Sequence, residues 1–380
     1  MYPQKTLFSR RKTLAAALAV VSLSAIAPVV SAGEDAAIEQ LRQEVDELRD
    51  QLNATADALE SRDQGDATHV GGYGELHYNQ VDGGDDKLDF HRFVLFFGHD
   101  FNDSMRFQSE LELEHAFSGE DGPGEVELEQ AFVEFDLRDG LQARAGVFLM
   151  PVGIVNETHE PPTFYGVERN PVEKNIIPAT WWEAGAGLSG QLGERGLSFD
   201  LAVTSGLAVD PATVSIRSGR QKAAKAVAND LALAGRLRFT GIPGLEWSAS
   251  VVAQSDVSQQ DNDGLDGATL VSTHAIWKRG PFALTGLYAA WNIEGTAARA
   301  ANKDRQSGYY LEGAWKATPR VGLFARHNSW SVVDGVDRQQ ADLGVNFWPH
   351  PNVVLKADIQ RQNDEAGNHD GFNLGIGYQF

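Results

Sequence analysis

Gly371-Phe372-Asn373-Leu374-Gly375-Ile376-Gly377-Tyr378-Gln379-Phe380 alternates strictly with a period of two residues. In an extended strand Phe372, Leu374, Ile376, Tyr378 and Phe380 share one face, while Asn373, Gly375, Gly377 and Gln379 share the other. The pattern recurs upstream. Leu197, Phe199, Leu201 and Val203 oppose Ser198, Asp200, Ala202 and Thr204, and Leu231, Leu233, Gly235, Leu237 and Phe239 oppose Ala232, Ala234, Arg236 and Arg238. One apolar face and one charged face is what a barrel needs when lipid lies outside it and water inside.

Turn signals cut residues 68–380 into sixteen such segments. Short connections (Asn102-Asp103, Arg138-Asp139, Gly193-Glu194, Ile242-Pro243, Gly280, Thr318-Pro319, His350) alternate with long ones (81–86, 118–124, 151–180, 207–228, 257–265, 294–306, 332–337, 363–369). Tight turns on one rim and longer loops on the other are the habit of an outer-membrane barrel. The predicted fold is all-β: a transmembrane antiparallel β-barrel of about 16 strands, preceded by a short N-terminal coiled-coil helix. A soluble sandwich or propeller shares the strands but has no need of alternating loop lengths. Aromatic residues near segment ends, Trp181-Trp182, Trp277, Trp330, Trp348 and Tyr378, are read as interfacial girdles.

Composition narrows the field. A 380-residue chain with 42% hydrophobic residues, 22% charged residues and a mean hydropathy of -0.30 is no helical membrane bundle. Thirty-two Lys and Arg against 53 Asp and Glu give a formal charge of -21, which argues against nucleic acid as a partner. The absence of cysteine excludes disulfides, thiolate catalysis and iron–sulfur clusters.

Lys5, Arg10, Arg11 and Lys12, the apolar run Thr13 to Ala27 and Val30-Ser31-Ala32 have the three parts of a secretory signal peptide, assigned to residues 1–32. Ile38, Leu41, Val45, Leu48, Leu52, Thr55 and Leu59 follow at spacings of three and four, an a/d seam that predicts a self-associating periplasmic helix over 33–60. Residues 61–67 read as a linker, and 68–380 as the barrel.

The signal peptide, the coiled coil, the sixteen amphipathic segments and the ending Gly377-Tyr378-Gln379-Phe380 together resemble a Gram-negative outer-membrane porin, in particular the phosphate-selective porin O and P family. Arg144-Ala145-Gly146-Val147-Phe148-Leu149-Met150-Pro151-Val152-Gly153, followed by a long loop, resembles that family's strand entering its third loop. The resemblance implies passive diffusion of small hydrophilic solutes and ions through a trimer embedded in outer-membrane lipid and lipopolysaccharide. It also implies that Phe380 is the signal read by the barrel assembly machinery. In porins of this type the third loop folds into the lumen and narrows it. Here that loop is 151–180, stiffened by Pro151, Pro161, Pro162, Pro171 and Pro178.

The loop carries Glu157, His159, Glu160, Glu168 and Glu173 against Arg169 and Lys174. Alternation turns Arg106, Arg144, Arg236, Arg238, Arg326 and Lys356 toward the lumen, so the expectation is a field running from loop acids to a basic wall. Residues 68–380 hold 42 acids against 25 bases, or -17, and Glu110, Glu112, Glu114, Glu125, Glu127, Glu129 and Glu134 line neighbouring segments. The only concentrated bases, Arg217, Arg220, Lys222 and Lys225, fall in a loop and are read as solvated. The charge balance therefore favours a weakly selective or cation-leaning channel, with a phosphate or anion porin as the alternative and a structural tether to the cell wall as a further one.

No enzyme, cofactor or metal site is expected. Gly185-Ala186-Gly187-Leu188-Ser189-Gly190 matches a nucleotide-loop pattern, but no helix follows it. Asp261-Asn262-Asp263-Gly264 lacks the closing Glu of a calcium loop, with Ser272 in its place.

Overall fold

The computed structural model describes residues 67–119, 122–260, 263–364 and 367–380. The expected signal peptide, the coiled-coil helix and all but the last residue of the linker lie outside the described residues, as does part of the Asp261–Gly264 motif. Sixteen long strands form one sheet: β1 (Thr68–Val81), β2 (Lys87–Asn102), β3 (Met105–Glu114), β4 (Val126–Arg138), β5 (Leu141–Leu149), β6 (Trp182–Gln191), β7 (Leu197–Thr204), β8 (Ala232–Ile242), β9 (Leu245–Gln254), β10 (Ala268–Arg279), β11 (Phe282–Ile293), β12 (Arg305–Thr318), β13 (Val321–Val333), β14 (Val336–His350), β15 (Val353–Asp364) and β16 (Gly371–Gln379). A two-residue piece, Gly367–Asn368, extends the last hairpin by pairing with the end of β15. Two short helices, α1 (Pro171–Asn175) and α2 (Thr296–Ala300), sit in loops.

Every strand pairs antiparallel with its sequence neighbours, and β16 pairs back onto β1 from Tyr73↔Gln379 to Val81↔Gly371. The sheet therefore has no free edge, which is how a β-structure satisfies its backbone in lipid. Beyond the last ladder pair, the Phe380 N–H donates to the Gly72 carbonyl and the Gly72 N–H donates to the Phe380 carbonyl, both at 2.9 Å.

Burial follows the two-residue period but is inverted relative to a soluble protein. Leu233, Leu311 and Leu343 are 58%, 62% and 57% exposed, whereas Ser248, Ser272, Asn328 and Asn346 are buried. Apolar side chains face outward because the surrounding solvent is hydrocarbon.

Three expectations change. The loop expected at 332–337 is a tight turn between β13 and β14, where Gly335 takes φ 81 without a side-chain penalty. Of the tryptophans assigned to the girdle, Trp181 and Trp330 are buried in an interior apolar cluster, and Trp348 donates to the Pro162 carbonyl. Phase within the alternation, not nearness to a strand end, decides which side an aromatic ring takes. Trp277 does stand in the outer belt, together with rings such as Trp247, Phe282, Trp315 and Phe347.

The third change concerns the lumen, which is not wet throughout. Met150, Val152, Val172, Ile176, Ile177 and Trp181 of one long loop pack with Leu207, Val209, Val214 and Ile216 of another. They rest on a wall of small side chains, including Ala232, Ala234, Ala268 and Ala289. Small residues on the inner face of β8, β10 and β11 leave the room that the two loops fill.

Candidate functional site

The loop between β5 and β6, residues 150–181, folds inward, and its own sequence pre-shapes it. Pro171 opens α1 where a missing N–H costs nothing, and Asn170 caps the helix by accepting from the Glu173 N–H at 2.9 Å. Glu173 Oε2 then accepts from the Ile154 and Val155 N–H groups at 2.8 and 2.7 Å, and Tyr310 donates to Oε1 at 3.0 Å. Gly153, at φ 79, is required beside it, because a Cβ there would lie 2.7 Å from Glu173 Oε2. Glu173 thus ties the loop to itself and is not an open pore acid.

Wall side chains hold the backbone of the loop almost residue by residue. Trp348 donates to Pro162 O, Asn346 to Phe164 O at 3.1 Å, Arg326 to Tyr165 O at 3.3 Å and Lys356 to Gly166 O at 2.8 Å. Asp358 accepts from the Val167 N–H at 2.7 Å. Lys356 also lies over the Phe164 ring. On other sides Ser250 donates to Pro151 O and Trp291 to Ile176 O.

The expected field between loop acids and a basic wall is closed up into contacts. Glu157 pairs with Arg236 and with Arg238, the latter at 3.2 Å. Arg236 also holds Asp200 at 2.7 Å. Arg326 pairs with Glu312 and Asp342 on the wall itself. Glu168 lies 3.0 Å from His77 Nδ1 and accepts from Asn79. Its packed surroundings oppose ionisation, although 37% of the side chain reaches the lumen. The hydrogen bond and charge of His77, with His91 and Lys174, outweigh this and hold the carboxyl below the usual carboxylate range. His159 reaches Glu110 and Glu129. Glu160 uses its carbonyl to accept from Thr163 and makes no ion pair among the described residues.

Arg106 stands apart. It pairs with Glu134 and Asp136 next to the β2–β3 turn, away from the loop. Arg144 has no carboxylate partner among the described residues; its guanidinium lies over the Phe132 and Phe148 rings, 4.4 Å from the centroid of the latter. Below Glu157 a cavity of about 290 Å³ opens toward the turn rim, lined by Gln142, Ser189, Asp200, Arg236 and Arg238.

The sequence reading missed the other loop. Residues 205–231, between β7 and β8, are not a solvated ribbon. Arg217 donates to the Lys174 and Ala179 carbonyls at 2.9 and 2.8 Å, and Arg220 donates to the Pro178 and Thr180 carbonyls. Arg169 meets the same Thr180 through its hydroxyl, leaving Nε and Nη2 without a hydrogen-bond partner. Three guanidiniums therefore converge on Ala179-Thr180, with Lys174 beside them. Among the described residues none of the four makes an ion pair, whereas Lys222, in the same loop, pairs with Glu125 and Glu127. No local signal gives this away, since the partners are backbone carbonyls of another loop.

Residues 70–371 match the phosphate-selective porin O and P family, and the chain belongs to that family. An uncharacterized protein of Aquifex aeolicus (strain VF5) is 30% identical over 358 residues, covering 82% of this chain and 79% of that protein. The fold is also that of the outer-membrane channel DcaP of Acinetobacter baumannii, with a TM-score of 0.59, 14% identity and coverage of 82% and 97% of the two chains. It matches the anion-selective porin from Comamonas acidovorans with a TM-score of 0.57, 15% identity and coverage of 82% and 99%. The protein is an outer-membrane β-barrel porin, a channel rather than an enzyme.

Proposed function

We propose that this porin passes small hydrophilic solutes with a preference for anions, by way of the basic corner where loops 150–181 and 205–231 meet. The carrying observation is the state of the charges, not their number. The barrel has an excess of acids, but many of those lining its interior pair with an imidazole or a guanidinium, as Glu75, Glu110, Glu157, Glu312 and Asp342 do. Arg169, Arg217 and Arg220 are held by neutral groups, and Lys174 beside them makes no ion pair among the described residues, so their charge remains available to a passing ion. A row of like charge at a narrowing selects ions because they must shed hydration there. The cation-leaning reading counted acids without their partners. Family membership and the anion-selective solved neighbour favour the same choice.

We further propose residues 1–32 as the cleaved leader, 33–60 as the periplasmic coiled coil and 61–67 as its linker. The a/d seam favours a trimer. Phe380, whose ring is 60% exposed on the lipid side of the seam, fits the role of assembly signal.

The test is single-channel recording across a salt gradient in planar bilayers. An anion-selective reversal potential, with chloride current reduced by added phosphate, is expected. A cation-selective reversal overturns the proposal and reinstates the cation-leaning reading.

A further inference from the structure

The wall formed by β3 and β4 contains a group of buried polar atoms to which the channel reading gives no part in conduction. Glu110 on β3 and Glu129 on β4 face His159 of loop 150–181, and their exposures are 1%, 2% and 2%. His159 Nε2 lies 3.1 Å from Glu110 Oε1 and 3.7 Å from Glu129 Oε2. The candidate ligand atoms of the three residues all fall within 4.8 Å of one another.

The placement of Glu129 comes from a β-bulge. Glu110 pairs with Gln130 and Leu111 with Leu128, so Glu129 is the extra residue of β4. A bulge re-aims a side chain that regular pairing would point elsewhere, and bulges gather beside functional sites for that reason.

As it stands the group is under-satisfied. Glu129 Oε2 and the neighbouring Glu112 Oε1 are buried without a hydrogen-bond partner, and so are His159 Nδ1 and the hydroxyl of Tyr73, whose ring packs edge-on against His159. Arg92 contacts Glu112 at 3.3 Å but is shared with Glu75 at 2.9 Å. Carboxylates taken out of water and left short of partners are costly, and a bound cation is a standard way of removing that cost.

We propose that Glu110, Glu129 and His159 bind a first-row transition-metal dication, with Glu112 and Tyr73 as further oxygens, and that the ion clamps loop 150–181 to the β3–β4 wall. One imidazole with two or more carboxylates is a borderline donor set that suits zinc, iron or manganese; calcium and magnesium prefer oxygen alone. The ion would tie His159 to β3 and β4, adding a further wall attachment to the anchors on β13 to β15.

The experiment takes the whole protein in detergent, strips it with a chelator, and titrates it calorimetrically with zinc and separately with manganese, followed by metal analysis after desalting. One ion per chain is expected, with Glu129→Gln and His159→Asn each weakening binding at least about tenfold. Failure to retain an ion, unchanged affinity in these variants, or equal affinity for calcium overturns the proposal. A measurement on the unaltered protein guards against misfolded variants: X-ray absorption of the zinc form should report a single imidazole among oxygen ligands. Two or more imidazoles would instead place the ion at Asp89, His91 and His115 or at His77, His91 and Glu168, and would also overturn it.

Discussion

The β1–β4 quarter of the lumen and the corner where loops 150–181 and 205–231 meet carry opposite charges, and they handle them differently. In the first, Glu75, Glu112 and Arg92 are locked together, Glu110 shares His159, and Asp89 lies between His91 and His115. In the second, Arg217 and Arg220 rest on carbonyl oxygens and Arg169 on a hydroxyl. A carbonyl positions a guanidinium without cancelling its charge, whereas a carboxylate does both. Paired charges therefore serve the fold, and unpaired ones remain to act on solutes.

That distinction can be broken by separating stability from selectivity. Arg326→Ala should have the largest effect on the fold. It strands Asp342 and Glu312 in a buried position and releases Tyr165 of the loop, costing about 3–5 kcal/mol. Thermal unfolding in detergent would show the loss, while the sign of the reversal potential should stay as in the unaltered protein. If selectivity inverts instead, paired charges also steer ions and the division fails.

The double charge reversal Arg217→Glu with Arg220→Glu should do the opposite. We expect the anion-over-cation permeability ratio to fall by about tenfold, equivalent to about 1.4 kcal/mol. Zero-current potentials in a salt gradient read this directly; an unchanged ratio would remove the basic corner from the ion path.

Acid sharpens the comparison further. Because the Glu168 carboxyl is held below its ordinary range, its stabilising contact with His77 is fully present above the unfolded carboxylate pKa, about 4.3, and is lost only as pH falls through the lower folded value. Channel noise from loop movement should therefore stay low at pH 5 and rise only in stronger acid. A rise between pH 6 and 5 would mean that His77 does not hold the loop through Glu168. The smallest effect belongs to Lys222→Ala, since its partners Glu125 and Glu127 sit near the rim; a loss of less than about 1 kcal/mol is expected in the same unfolding assay.

Much of the barrel could be read from the chain because a strand's two faces are written locally. Leu374 and Asn373 disclose inside and outside without knowledge of any neighbour, and all sixteen strands fall within a few residues of where alternation and turn signals put them. The inward course of 150–181 was an expectation from the resemblance to porins; its length and prolines alone mark only a long, stiff connection. What it grips was only partly legible. Arg236, Arg326 and Lys356 do hold the loop, but Arg106 lies too far toward the turn rim, and Glu173 spends its carboxylate on its own backbone. Arg217, Arg220, Glu110 and Glu129 take their meaning from partners on other loops and strands, and in Glu129's case from a register slip that no single strand reveals.

The pairing of Tyr73 with Gln379 has a kinetic corollary. The two strands of the seam come from opposite ends of the barrel sequence, so every partial sheet along the way has two raw edges open to any stray strand. Zipping can finish only when the last hairpin meets the first, which makes assembly a race between self-capture and capture by a neighbour. A helper that shields those edges until they meet would gain most at this one joint.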